Sequence, residues 1–318
     1  MSLLKLRFAM LATMTLLFGF LAGIFGLIVW YYGATLESNL MLTGIVAFVV
    51  LLTAVQWWAG PWLIKVTTRM RELKPNEYPE LHEMLAELSR KAGIKKPRLF
   101  LVMDGTPNAF AFGRTPNDSN VAVHSGLLGV LNKEEVKAVL AHEVGHVKHW
   151  DVAVITLASM VPLLAYYLIV LFFSRQSNDR GAPSGIAVFF GALLAQFLSR
   201  LLVMYLSRTR EYYADAFSAA ATRKPASLAN ALKKISYGFA GVNPRAYESK
   251  AAFYIASPSE AAELGDKARE REIDYAIEWE KTNAWAGIGE LLSTHPLTFK
   301  RLAALRELEN NLPEVDAA

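Results

Sequence analysis

The chain has no cysteine. That excludes disulfides, a thiolate metal site and a cysteine nucleophile, and it fits a reducing compartment. Charge is scarce too: 19% of its 318 residues are Asp, Glu, Lys or Arg, against about 25% in an ordinary soluble chain. The net charge of +4 comes with no long basic tract, so nucleic acid is not an expected partner. Internal repeats and low-complexity tracts are absent as well.

What the chain has instead is apolar runs; 53% of it is hydrophobic. Phe8 to Tyr31 holds no charged residue and follows Lys5 and Arg7. It is too long for a signal-peptide core and ends in Trp30-Tyr31-Tyr32, an interfacial aromatic cluster, so it reads as a retained transmembrane helix. A short polar turn, Gly33 to Asn39, leads to a second span, Leu40 to Trp58, which Gly60-Pro61 is expected to stop. A third run covers Val152 to Phe173, interrupted only by Pro162. After a polar loop, Ser174 to Ser184, a fourth begins at Ile186 and reaches Leu206 if Arg200 snorkels or faces protein. The last two runs either cross fully or form a shallow hairpin. Bases flank the N-terminus and follow the second span at Lys65, Arg69, Arg71 and Lys74, while the turn between has none. The positive-inside rule then puts the N-terminus, and the polar chain from about Lys65 onward, on the cytoplasmic side.

Between the hairpins, Glu77 to Ala92 has Leu81, Met84, Leu85 and Leu88 at helical spacing, with His82 on a solvated face. Three strand-like pieces follow: Arg98 to Met103, Asn108 to Gly113 and Asn120 to His124, separated by turn residues, which predicts a small sheet. Asn132 and Glu135 form a capping box. The helix it opens is expected to run straight into the third span, broken by nothing but Gly145, which either admits a close neighbour or costs about 1 kcal/mol. Beyond the fourth run, Arg208 to Thr222, Ser227 to Tyr237 and Lys300 to Asn311 read as helices. Glu260 to Trp285 is charged and reads as either partly helical or loosely ordered.

The chemistry lies in His142-Glu143-x-x-His146. Positions i and i+4 share a helix face, so two imidazoles aim at one point. That suits a divalent zinc ion, with the glutamate between them in reach of a water. A catalytic zinc site needs a third protein ligand. Glu211, in Glu211-x-x-x-Asp215, is the best candidate, with Asp215 one turn on to hold a ligand histidine's second ring nitrogen. Geography supports the pair. His146 lies about 9 Å of helix from Val152, and Glu211 about 13 Å from Leu202, at the helical rise per residue. If the third and fourth runs form a hairpin, the two helices leave the membrane on one side at similar depth, and the site sits roughly 10 Å from the bilayer. His149 reads as a surface residue near the headgroups, Asp151 as a local cap or partner, and His124 as a strand end. Arg208 and Arg210 orient the site or mark the membrane edge, the second being favoured.

Taken together, His142-Glu143-x-x-His146, Glu211-x-x-x-Asp215, Asn108-Ala109-Phe110-Ala111 and Thr294-His295-Pro296, in that order among hydrophobic spans, resemble the HtpX-type membrane zinc metalloproteases, related more distantly to the CAAX prenyl proteases. The resemblance covers nearly the whole chain except about Arg245 to Leu292, which matches nothing specific and has the character of an insertion. It implies a mainly α integral membrane protein: four candidate transmembrane helices plus a zincin-like α+β catalytic domain with a small β-sheet. The divisions expected are 1–64 and 152–206 as transmembrane hairpins, and 65–151 and 207–318 as the two halves of a cytoplasmic catalytic domain. One Zn2+ per chain would be held by His142, His146 and Glu211, with Glu143 as general base and Asp215 behind the ligands. His295 would stabilise the oxyanion. Asn108, Ala109, Phe110, Ala111, Phe112 and Gly113 would form the edge strand that pairs with an extended peptide, with Asn108 also reaching the substrate carbonyl. The partners implied are polypeptide substrates, membrane proteins among them, and the lipid bilayer; the location is the cell membrane, multi-pass, and the role is quality control of damaged membrane proteins. Three rivals rank lower. A catalytically dead scaffold need not keep Glu143, a prenyl-protein protease expects more spans, and a transporter needs ionisable residues inside its spans.

Overall fold

The computed structural model describes residues 3–32, 36–173, 185–237 and 266–312. The turn at 33–35, the loop Ser174 to Ser184 and the part of the expected insertion up to residue 265 lie outside them. Among the described residues, four helices are long and apolar enough to cross a membrane. Helices α1 (Leu3–Tyr32) and α2 (Leu36–Thr67) form the first pair, and α6 (Asp151–Phe173) and α7 (Gly185–Thr222) the second. Without water, a backbone has few alternatives to helical hydrogen bonding. For that reason Gly60-Pro61 does not end α2, contrary to the sequence expectation: Pro61 sits inside it. One turn earlier, the Trp58 carbonyl accepts hydrogen bonds from Arg114 Nε (3.1 Å) and Nη2 (2.6 Å). That contact ties α2 to the end of one strand of the sheet.

The sheet holds β1 (Arg71–Glu72), β2 (Arg98–Val102), β3 (Ala109–Thr115) and β4 (Asp118–His124) in the order β1-β2-β4-β3. β2 and β4 are parallel; the other pairs are antiparallel. Strand β1, only two residues long, carries no periodicity for a sequence reading to find. Period-two alternation splits the sheet cleanly. Leu99, Leu101, Val121 and Val123 face the main core. Phe100, Val102, Phe112 and Ala122 face the other way and pack with Ile64 and Met70 at the foot of α2. Among the described residues β3 is an edge strand, with β4 as its one strand neighbour.

The main core joins residues from before and after the second hairpin. Helix α3 (Pro79–Ala92) gives Leu81, Leu85 and Leu88; α5 (Lys133–Lys148), which follows the short α4 (Ser125–Val130), gives Val136, Val139 and Leu140. The same core takes Phe217 from α7, Leu228 from α8 (Pro225–Ser236), and Leu302 and Leu305 from the last helix (Thr298–Asn310). Two more helices precede that last one, α9 (Asp266–Thr282) and α10 (Ala284–Leu291), which makes it α11. The capping box is present: Asn132 Oδ1 accepts from the Glu135 amide and Glu135 Oε2 from the Asn132 amide, each at 2.9 Å.

Two helix boundaries differ from expectation. α5 does not run into α6; it closes at His149, and Trp150 takes a left-handed φ of 59°. Such a backbone is costly for a bulky residue and reverses the chain so that Asp151 turns back toward α5. By contrast, Arg208 to Thr222 is not a separate helix. It is the continuation of the fourth span, since no glycine or proline occurs between Gly191 and Thr222 to break it.

α5 and α7 touch at Gly145. A Cβ there would lie 3.0 Å from Ala214 Cα and 3.3 Å from Phe217 Cβ. Gly145→Val should therefore force the helices apart and lower stability by about 1–3 kcal/mol, the usual cost of overpacking. Denaturant unfolding in detergent checks this; unchanged stability would mean that the contact is loose.

Candidate metal centre

α5 presents His142, Glu143 and His146 on the side where α7 presents Glu211 and Asp215. His142 Nε2 lies 3.1 Å from His146 Nε2 and 3.5 Å from Glu211 Oε2, and His146 Nε2 lies 3.4 Å from Glu211 Oε1. Ligand atoms of the three residues all fall within 4.8 Å of one another. A tetrahedral ion with bonds of about 2.0–2.1 Å spaces its donors by about 3.3 Å, so this donor set fits a small divalent cation.

The second nitrogen of each imidazole meets a carboxylate. His142 Nδ1 lies 2.9 Å from Asp215 Oδ1, and His146 Nδ1 lies 2.5 Å from Asp151 Oδ2. Such contacts orient a ring and leave Nε2 for a metal. Burial works against an imidazolium at both, but carboxylates outweigh it: Asp215 and Glu211 raise the pKa of His142, and Asp151 and Glu211 raise that of His146 well above the ordinary value. The cluster attracts positive charge. Glu143 is buried as well, and burial pushes its pKa up, opposed by the two imidazoles and by the Ala111 amide donating to it. That last contact ties Glu143 to the edge strand. Beside it, a shallow open cleft runs between β3 and the head of α6, lined by Ala111, Phe112, His146, Trp150 and Val152.

His295, between α10 and α11, brings Nδ1 to 3.1 Å from Glu211 Oε2 and stays exposed. Asn108 stands just before β3 with an exposed side chain, its carbonyl accepting from the His124 amide at 2.9 Å; it is not among the groups hydrogen-bonded within the cluster.

One residue of the site escaped the sequence reading, and three others take places it did not favour. Arg301, on α11, is buried and donates from Nε and Nη2 to Asp215 at 2.9 and 2.6 Å, with Nη1 3.1 Å from Glu211 Oε2. Burial alone would lower its pKa, but the Asp215 and Glu211 carboxylates raise it, so the guanidinium stays charged. The signal was an arginine beside Leu302 and one turn from Leu305, on the apolar side of an amphipathic helix. Arg210 is also buried and bonds Asp151 and the His149 carbonyl, while Arg208 Nη1 donates to the carbonyls of Glu290 and Ser293 at 2.7 and 2.8 Å. Both bury against protein acceptors, and Arg210 supports the site through Asp151, the partner of His146, which is the role the sequence left open beside that of a membrane-edge marker. His149 does not face headgroups either; its ring packs on Tyr213 and Phe217 of α7.

A family model described as Peptidase family M48 matches residues 75–309. The chain is 39% identical over 234 residues to a protease HtpX homolog of Methanothermobacter thermautotrophicus, covering 73% of this chain and 86% of that one. It is 36% identical over 275 residues to the Aeropyrum pernix protease HtpX homolog, covering 82% and 85%. Among solved structures, that of S. mikatae Ste24p shares the fold at a TM-score of 0.55 and 17% identity, over 95% of this chain and 67% of that one.

Removing one partner of a buried ion pair costs about 3–5 kcal/mol. Arg301→Met should therefore destabilise the protein by that amount. Arg301→Lys should recover only part, since an ammonium cannot make the bidentate contact. Equal stability of Arg301→Met and the parent in denaturant unfolding would remove Arg301 from the site.

Proposed function

The chain belongs to peptidase family M48 as an HtpX-type membrane metalloprotease, and from that premise we propose that it is a zinc-dependent endopeptidase with one zinc ion held by His142, His146 and Glu211. The observation that carries this reading is the near-tetrahedral spacing of the three donors, with each imidazole backed by a carboxylate. Zinc in such a site supplies Lewis acidity toward a carbonyl and lowers the pKa of water.

The chain's own groups do the rest. Glu143 acts as general base, taking a proton from the attacking water and passing it to the leaving amine. A carboxylate whose pKa is raised by burial suits both steps. Asp215 and Asp151 hold the ligand imidazoles in the tautomer that leaves Nε2 bare. His295 donates where the carbonyl oxygen becomes negative. β3, from Asn108 to Gly113, pairs with the extended substrate through its free edge, which accepts a backbone of any sequence; Asn108 contributes at the end of that edge.

The substrates are polypeptides, and we place membrane proteins first among them. Asp151 is at once the first residue of a candidate span and the partner of His146, so the site lies against the bilayer. By the positive-inside rule this face is the cytoplasmic face of the cell membrane: Arg7, next to the start of α1, contacts Tyr213 on the site's side. Residues 65–151 and 207–318 then make up the catalytic part and 1–64 and 152–206 its anchor. Quality control of damaged membrane proteins is the role that fits.

Glu143→Gln should retain zinc and lose peptide-bond cleavage; undiminished cleavage of an unfolded substrate by this variant would sink the proposal. Glu211→Ala should lose most of its zinc by metal analysis, while Asp215→Ala weakens zinc affinity by about 10–100-fold. Full zinc content in Glu211→Ala would require another third ligand.

A further inference from the structure

The spanning helices carry exposed aromatic side chains toward the end that bears the ligand cluster. Trp58 and Trp62 of α2, Trp150 at the head of α6 and Tyr205 of α7 are 69%, 64%, 51% and 45% exposed. Such rings collect at headgroup depth, so they mark the bilayer surface. α7 provides a second measure. From Gly185 to Arg208 it rises about 34 Å, against about 30 Å of hydrocarbon, which brings Arg208 out at the same surface.

α10 sits at that depth. The Arg208 bonds to the Glu290 and Ser293 carbonyls hold its C-terminal end within one arginine side chain of α7. None of its residues is buried. Trp285, Ile288, Leu291 and Leu292 are 75%, 50%, 54% and 53% exposed. Its one ionisable group, Glu290, is engaged on the protein side, accepting from the Leu297 amide at 3.2 Å and from Lys300.

We propose that α10 and Leu292 form a membrane-seated segment whose apolar side chains enter the interface of the bilayer that the four spans cross. Lipid is the occupant because the exposed surface of α10 is tied to α7 where α7 leaves the hydrocarbon. Eight residues make about 12 Å of helix, too short to span. In water so short a helix is marginal, and an exposed tryptophan with three aliphatic neighbours is a patch that soluble surfaces avoid; lying in the interface removes both problems. The chain passes from this seat directly to His295, so the histidine beside Glu211 is tethered to lipid on one side and to α11 on the other. The proposal concerns lipid contact and holds whether or not the peptidase mechanism does.

The absence of cysteine makes the test direct. Ile288→Cys and, independently, Trp285→Cys each give the full chain a single spin-labelling site. In phosphatidylcholine–phosphatidylglycerol vesicles, collision with oxygen reports lipid and collision with a water-soluble nickel chelate reports water. Phe190→Cys, exposed on α7, and Tyr275→Cys, exposed on α9, are the lipid and water references. The expected oxygen-to-nickel ratio at both α10 positions is severalfold above that at Tyr275, approaching that at Phe190. A ratio equal to that at Tyr275, or labels shielded from both reagents as they would be beneath a second copy, overturns the proposal.

Discussion

Arg301 reaches Asp215 through hydrogen bonds of 2.6 and 2.9 Å inside the protein, and the site depends on buried negative charge being answered in this way. Glu143, Asp151, Glu211 and Asp215 are all buried around the two imidazoles, faced by the guanidiniums of Arg210 and Arg301. Four carboxyl groups face two guanidiniums, so acidic groups outnumber the arginines that answer them. Buried charge is expensive unless it is paired or coordinates a metal. The same acidic surroundings hold the two imidazoles ready to take up positive charge, and their donor spacing with Glu211 fits a small divalent cation.

The arrangement needs two helices from distant parts of the chain to meet without slack. α5 and α7 do so because Gly145 has no side chain and Ala214 has almost none. α7 then does two jobs with one rod. Its first part is a candidate span and its last part carries Glu211 and Asp215, with no joint between them. The depth of the helix in the bilayer thus fixes the height of the carboxylates. α6 makes the same connection from the other side, since its first residue, Asp151, holds His146. The break at Trp150 is what permits this: a straight α5–α6 helix would carry Asp151 along the axis and away from His146.

How much of this was legible in the sequence follows the range of the interactions. The histidine pair and the Asn132 capping box are local, governed by helical period and by spacings of four and three residues. The spans are local in the same sense, being runs of composition. Glu211 lies far from the histidines in sequence, but two bounded apolar runs and a turn confine where it can return. Arg301 had no such guide. Its partners lie on α7, and nothing in Lys300 to Asn311 says which way a lone arginine on an apolar face will point. Trp150 was illegible for another reason, since a tryptophan at positive φ contradicts the local preference and is sustained by tertiary contacts around it. Pro61 misled in the opposite direction. Proline stops helices where water competes for the backbone, and α2 continues through Pro61 inside a candidate span.

The placement of the edge strand bears on which substrates this site can serve. β3 is bound to the span α2 at one end through Arg114 and Trp58, and to the candidate metal centre in its middle through the Ala111 amide and Glu143. The cleft alongside it opens between Phe112 and the Trp150–Val152 corner, where α6 enters its apolar run. An extended peptide laid along β3 would run past the headgroup-level tryptophans before reaching Glu143. A segment already extended from a bilayer meets that geometry without leaving its membrane, whereas a folded soluble protein would have to unfold a stretch against the lipid surface to do so. On the proposed function, selectivity would then rest on access rather than on side-chain recognition, since the edge proposed to bind substrate offers backbone groups.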